Sequence, residues 1–210
     1  MPTEILTADR AGWRHYIDEA VYTLSTGDPD AETAVRNALL GGINTSGQLA
    51  DSVSDISGHF AVIARSADTS CAIVDHCRSS PVFYTDDAVS NDAHLLRRAR
   101  QLNTPDPIGA SDAAMAGFVT GNRTLFAGLR QLEAGNLAIW TGGAKKPVIT
   151  RYRDYMPTKI DRRAEPELVD GFLAVLDESI ARAITYAGER PIWVALSGGL
   201  DSRLLLAKFV

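Results

Sequence analysis

Six residues near the end of the chain, Ser-Gly-Gly-Leu-Asp-Ser at 197–202, have the types and spacing of an anion-binding loop. They follow the apolar run PIWVAL at 191–196 and lead into SRLLLAKFV, a helix-like sequence. Glycines let a backbone turn tightly and approach a ligand closely, and the first N–H groups of a helix lack partners within that helix. The pattern predicts a strand–loop–helix unit that binds phosphate and opens a parallel α/β sheet.

An aspartate within this loop favours a bound cation. The carboxylate of Asp201 would repel a phosphate, and a Mg²⁺ ion held between them removes that conflict. The loop has neither the Gly-Lys-Ser/Thr of a Walker A loop nor a G-x-G-x-x-G pattern. A plain strand-to-helix turn, in which Ser and Asp only cap the helix, is the alternative interpretation.

Two further segments, together with the loop, resemble the asparagine synthetase family. The hexapeptide is similar to the pyrophosphate loop of ATP-pyrophosphatases (PP-loop proteins) in its asparagine synthetase form. Residues 56–87 resemble that family's run from a G-x-F-A strand to an R-D-x-x-G-x-x-P-L-Y-Y hairpin. Residues 124–155 resemble its T-x-F-x-G-I-x-x-L-x-P-G segment and the Tyr-Trp pair after that segment. The resemblance covers about residues 50–210 with matching order and spacing.

This resemblance implies a mixed fold class, α/β and α+β, in two domains. Residues 1–157 would form a degenerate Ntn-type glutaminase domain of αββα layering. Residues 158–210 would form the first strand–loop–helix of a PP-loop ATP-pyrophosphatase domain, with its other βα units expected beyond Val210. The charged stretch TKIDRRAEPE at 158–167 is the predicted linker, and an amphipathic helix follows it.

The implied activity is ATP-dependent amide formation. ATP and Mg²⁺ would bind the loop, an acceptor carboxylate such as aspartate would attack the α-phosphate, and ammonia or an amine would then displace AMP. By resemblance, Leu196 offers its backbone to the nucleotide, and Asp201 holds Mg²⁺ through the pyrophosphate. The residues expected to surround the pyrophosphate are Ser197, Gly198, Gly199, Leu200, Asp201 and Ser202.

The N-terminal part departs from the family pattern. The family's glutaminase nucleophile is an N-terminal cysteine, but residue 2 here is Pro2 and the nearest cysteine is Cys71. An N-terminal nucleophile uses its own α-amine as base, so an internal cysteine cannot replace it. We therefore expect no glutaminase activity. Nitrogen would come from ammonia, from an amine of the substrate or from a partner amidotransferase.

Several alternatives stay open from the sequence. The chain could be a non-catalytic scaffold with a vestigial nucleotide loop, or an intramolecular amide-forming enzyme like β-lactam synthetases and lasso-peptide cyclases. The sequence is also compatible with a homodimer. Asp30 in STGDPDAE is similar to the family's glutamine-binding aspartate, and a helix cap is the favoured interpretation of it. Either Asp28 or Asp30 is expected to cap a helix that has Pro29 in its first turn and ends at the Gly41-Gly42 pair.

Composition narrows the classes of partner. The 210 residues carry a net charge of −5 with no basic stripe, which argues against nucleic acid. No apolar run is long enough for a membrane span and no signal peptide is evident, so a cytoplasmic protein is expected. Cys71 and Cys77 are expected to be reduced structural thiols rather than a disulfide or metal site.

The elements expected around these motifs are mostly strands. The segments GHFAVIARS, SCAIVDH and SPVFYTDD predict a meander of three hairpin-linked strands, and NLAIW and PVITRYRDY two more. Ser90 and Ser111 are expected to cap helices. Asp75 and Arg78 are expected to form a structural pair. Trp193 is expected in the core, within the buried strand 191–196.

Overall fold

A computed structural model describes residues 3–18, 20–142, 144–154, 156 and 160–209. The protein is mixed α/β, as the sequence predicts, and the described residues form two sheets and six helices. The chain divides into two compact units, Met1–Tyr155 and Met156–Val210. The assignment of these units to a glutaminase-like and an ATP-pyrophosphatase domain stays a prediction.

The strands lie in the first unit. They are β1 (Glu4–Leu6), β2 (Trp13–Ile17), β3 (Tyr22–Gly27), β4 (Phe60–Arg65), β5 (Thr69–Val74), β6 (Phe83–Tyr84), β7 (Ala88–Ser90), β8 (Arg130–Gln131), β9 (Asn136–Thr141) and β10 (Val148–Arg151). One sheet is antiparallel with the order β10-β9-β5-β4-β3-β2, and the other has the order β1-β7-β6-β8. The strands predicted from GHFAVIARS, SCAIVDH, NLAIW and PVITRYRDY are confirmed.

The predicted three-stranded meander is wrong at its third strand. Only Phe83–Tyr84 of SPVFYTDD is extended, and it pairs with β7 and β8 in the smaller sheet. β9, rather than β6, lies beside β5. The chain leaves the larger sheet after Val74, because the Asp75 carboxylate accepts hydrogen bonds from the turn that follows it.

The helices are α1 (Pro29–Leu40), α2 (Ser46–Val53), α3 (Ala93–Ala99), α4 (Pro107–Ala116), α5 (Glu165–Ala187) and α6 (Leu200–Phe209). The predicted caps of α3 and α4 are wrong. Asp92 caps α3 instead of Ser90, and Asp106 caps α4 instead of Ser111. Ser90 is extended because it belongs to β7, and Pro107, suited to a first helical turn, moves the start of α4 towards the N-terminus.

Successive side chains along the strands of the larger sheet point to opposite faces, so each face of the sheet contributes to a separate hydrophobic core. Val62 and Ala64 of β4 pack with α1 and α2, whereas Ala61 and Ile63 face the other way towards the smaller sheet. Leu96 of α3 packs on the far side of the smaller sheet. The first unit is therefore layered as helices, sheet, sheet and helix.

The second unit holds α5 and α6. The amphipathic helix is confirmed as α5, with Pro166 in its first turn and Gly188 at its C-cap. Lys208 of α6 forms an ion pair with Asp177 of α5 at 2.5 Å. Among the described residues, no helix is long and apolar enough to cross a membrane.

The predicted buried strand at 191–196 is wrong. Residues 191–197 have no regular secondary structure, and the side chain of Trp193 is 90% exposed rather than in the core. A β-strand needs a neighbouring strand for its backbone N–H and C=O groups. The described part of the second unit contains no strand that could supply this pairing.

Candidate functional site

The predicted loop, residues 197–202, leads directly into α6, which begins at Leu200. Its two serines come together, with their hydroxyl oxygens 3.0 Å apart. The N–H of Ser197 donates to Ser202 Oγ at 3.0 Å, and the N–H of Gly199 donates to Ser197 Oγ at 3.2 Å. The loop thus closes on itself at the positive end of the helix dipole.

The two glycines of the loop are not required by backbone strain. Neither Gly198 nor Gly199 is among the glycines with positive φ. A Cβ on Gly198 would have no atom within 4 Å, and one on Gly199 would be 3.4 Å from Ser197 Oγ. Among the described residues, the Gly198 N–H also has no hydrogen-bond partner. Gly198 therefore has both open space beside its Cα and an N–H donor without a partner among the described residues.

The donor set of the loop fits a phosphate with a bridging cation. The carboxylate of Asp201, in the first turn of α6, takes part in no hydrogen bond or ion pair within the described residues. The described residues contain no cluster of three or more His, Cys, Asp or Glu side chains suited to a metal ion. One carboxylate is a normal protein contribution to Mg²⁺ when phosphate oxygens and water supply the other ligands. The exposed Leu196 and Leu200 flank this group of polar atoms.

In the first unit, the turn at residues 75–79, which follows β5, is organised by a buried carboxylate. Asp75 is fully buried and accepts hydrogen bonds from three backbone N–H groups, those of Phe60, Cys77 and Ser79, at 3.1, 2.7 and 3.1 Å. The expected structural pair of Asp75 and Arg78 is a main-chain contact, because Arg78 donates its backbone N–H to the Asp75 carbonyl at 3.0 Å. The turn is held by this hydrogen bond and by the Asp75 carboxylate.

The segments that carry the upstream resemblance meet at this turn. Gly135 donates its N–H to the carbonyl of Asp75 at 3.0 Å, and its own carbonyl accepts from Tyr152 N–H at 2.9 Å. The Tyr152 hydroxyl donates to the carbonyl of Val74 at 2.8 Å. Burial, together with the Asp75 charge, raises the pKa of Tyr152, so this hydroxyl stays a donor.

The buried Cys71 is not placed as a nucleophile. Both cysteines are free thiols, as expected, with Cys71 buried in β5 and Cys77 exposed. Burial raises the pKa of the Cys71 thiol to about 12, which leaves it un-ionised and unreactive. Residue 2, where the family has its nucleophile, lies outside the described residues.

Asp30 is neither a cap nor a buried binding group. It is exposed in the first turn of α1, and its N–H donates to the carboxylate of Asp28, which is the cap. The interpretation of Asp30 as the cap is therefore wrong by two residues. Pro29 determines which aspartate is the cap, because proline favours the first helical position and the cap is the residue before it.

Sequence reasoning missed a cavity in the first unit. It has a volume of about 480 Å³ and is lined by Arg78 and by residues of α3, β6 and the segment 118–131, among them two further arginines and three phenylalanines. Part of the signal was present, since His94 and Arg97 are three residues apart and share one face of a helix. Arg78 and Arg123 come from other segments, so only the tertiary structure brings them to the same cavity.

Comparison with known proteins finds a likeness in structure. No family model matches the chain, and no curated protein matches it. Among solved structures, it is similar to glutamine phosphoribosylpyrophosphate (PRPP) amidotransferase from B. subtilis complexed with ADP and GMP, with 12% identity and a TM-score of 0.35. The match covers 71% of this chain and 32% of that one, so the chain spans about a third of that structure's length. At this TM-score the likeness establishes neither family nor activity.

Proposed function

We propose that the chain is an asparagine synthetase-like protein that takes part in ATP-dependent amide formation. In this proposal the loop 197–202 binds the pyrophosphate of Mg·ATP while an acceptor carboxylate is activated, and ammonia or an amine then forms the amide. The first unit, in its helix–sheet–sheet–helix layering, would be a degenerate Ntn-type domain.

The observation that carries the proposal is the state of Gly198. Its N–H has no partner within the described residues, and the space beside its Cα is open. No packing contact within the described part of the chain requires a glycine there, whereas a pyrophosphate close to the backbone would require it. The Ser197 and Ser202 hydroxyls, now bonded to each other, are further donors that phosphate oxygens could take over.

Asp201 supports the Mg²⁺ part of the proposal. When bound, Mg²⁺ supplies the positive charge that allows a carboxylate and a pyrophosphate to share one loop. The role of Asp201 is to hold that charge at the first turn of α6. The loop N–H and hydroxyl groups would then stabilise negative charge as it develops on the departing pyrophosphate.

A second candidate is a non-catalytic interaction module with a vestigial loop. One observation favours it: residues 191–197 have no regular structure, and the apolar side chains of Trp193 and Leu196 are 90% and 60% exposed. Such exposed apolar groups are typical of surfaces that another protein covers. This candidate predicts that the loop does not bind Mg·pyrophosphate.

Binding of Mg·pyrophosphate, measured by titration calorimetry, separates the two candidates. We expect Gly198→Val to weaken binding by about tenfold or more, because the isopropyl group would fill the space beside the free N–H. Gly47→Val is the matched control, since Gly47 also has no atom within 4 Å of its Cβ site and lies in α2. Equal affinity of the Gly198→Val and wild-type chains would contradict the pyrophosphate role, and a wild-type chain that does not bind would favour the module.

A further inference from the structure

The cavity of about 480 Å³ in the first unit has a cationic and an aromatic part. Its arginines are Arg78, Arg97 and Arg123, and its aromatic lining includes Phe83 and Phe126. This volume is in the usual range for small-molecule sites, which are mostly apolar with a few polar groups.

Two of the three arginines carry uncompensated charge. Arg123 pairs with Asp106 at 3.2 Å. Within the described part of the chain, neither Arg78 nor Arg97 forms an ion pair, and Arg97 Nη1 donates only to the Asn103 side chain at 3.2 Å. The cavity therefore has a net positive charge and favours an anion.

Arg97 combines the two properties of the cavity. The guanidinium of Arg97 lies over the Phe126 ring, 4.4 Å from the ring centroid. The ring covers one face of the guanidinium, and the N–H groups at the guanidinium edge are the part that a ligand would contact. The Nε of Arg97 is buried without a hydrogen-bond partner among the described residues. A buried N–H without a partner is uncommon and leaves the guanidinium charge poorly compensated, so an oxyanion that contacts the other N–H groups of Arg97 would be favoured.

Arg78 lies in a backbone conformation that favours glycine. Its φ is +53°, and the other non-glycine residue with positive φ in the described part of the chain is Gln101, also at +53°. Such strain at a non-glycine residue is often associated with a functional role for its side chain. The strained backbone of Arg78 brings a half-buried guanidinium to the wall of the cavity.

We propose that this cavity binds a small molecule that joins a carboxylate or phosphate monoester to a flat apolar body. Arg78 and Arg97 contact the anionic group, and Phe83 and Phe126 contact the apolar body. The proposal goes beyond the nucleotide loop and does not depend on it, because the cavity lies in the first unit and the loop in the second.

Phenyl phosphate is the probe, and its binding to the full chain is followed by titration calorimetry. We expect a Kd on the order of 1 mM or tighter for this size of ligand. Benzamide, which lacks the charge, and inorganic phosphate, which lacks the apolar body, should each bind at least about tenfold more weakly. Equal binding of either comparator, or no binding of phenyl phosphate up to about 10 mM, would overturn the proposal.

Two variants test the arginines, each with its own control. Arg97→Met keeps an apolar stem over Phe126 and should lose about tenfold or more in affinity, whereas Arg98→Met on the same helix should not change it. Arg78→Gly should also lose affinity while raising Tm by about 1–4 °C, because glycine relieves the positive φ. Gln101→Gly should raise Tm similarly without affecting binding. Unchanged affinity in Arg78→Gly or Arg97→Met would contradict the assignment, and the raised Tm excludes unfolding as the cause of lost binding.

Discussion

The Gly27→Ala variant is expected to lose roughly 3–5 kcal/mol of folding free energy, a large part of the stability of a domain this size. Gly27, at the end of β3, has a φ of +84°. A Cβ there would lie 1.8 Å from the carbonyl oxygen of His59 and 2.9 Å from the Cα of Phe60. Both are backbone atoms of the paired strand, so the clash could be relieved only by moving β4. Urea unfolding of the chain measures the loss.

Gly42→Ala separates the clash from the effect of the dihedral angle. Gly42 has a similar φ of +78°, and a Cβ there would meet no atom within 4 Å. It should lose only about 1 kcal/mol, the usual penalty of a left-handed residue with a side chain. Similar losses in the Gly27→Ala and Gly42→Ala variants would show that β3 and β4 are not packed as described.

Asp75→Ala is expected to cost about 3–4 kcal/mol of folding free energy. The substitution removes the acceptor of three backbone N–H groups that are buried or partly buried. Asp75→Asn is nearly isosteric and should still lose part of this stability. One carboxylate oxygen accepts from Cys77 and the other from Phe60 and Ser79, so an amide NH₂ in either place opposes a donor.

Thermal unfolding of both Asp75 variants tests this arrangement. Asp55→Ala is the control, because Asp55 is exposed and has no hydrogen bond or ion pair within the described residues. Its stability should stay within about 0.5 kcal/mol of wild type. An Asp75→Asn variant as stable as the wild type would mean that the carboxylate does not organise the turn at residues 75–79.

Helices and strands with a clear hydrophobic periodicity, or with residues typical of helix ends, could be predicted from the sequence. The β-branched runs of β4 and β5 and the apolar stripe of α5 were correct because burial and local preference agree there. α1 was correct too, since Pro29 and Gly41 mark its ends. In each case the information lies within about a dozen neighbouring residues.

Features that depend on distant residues were predicted poorly. The apolar run before the loop predicts a buried strand, but strand formation also needs a partner strand that local sequence does not specify. The meander failed because pairing of β5 with β9 joins segments more than sixty residues apart. The positive φ of Arg78 is likewise a constraint that its neighbours in sequence do not reveal.

The position of the candidate loop could be predicted from the sequence, but its internal hydrogen bonds and the open space beside Gly198 could not. Residue types alone indicated an anion-binding turn at Ser197–Ser202. That the two hydroxyls bond to each other, and that Gly198 keeps a free N–H beside open space, is evident only from the three-dimensional arrangement of the described residues. The arginine cavity could not be predicted, because its cations come from three separate segments.

Backbone amide NMR of the chain, titrated with Mg·pyrophosphate, tests the central claim most directly. We expect the amide signals of Gly198 and Gly199 to shift most, as phosphate oxygens take the N–H groups at the start of α6. In Asp201→Ala the same shifts should require about tenfold more ligand. Loop signals that do not move at any ligand concentration, or that move identically in Asp201→Ala, would contradict a Mg·pyrophosphate loop.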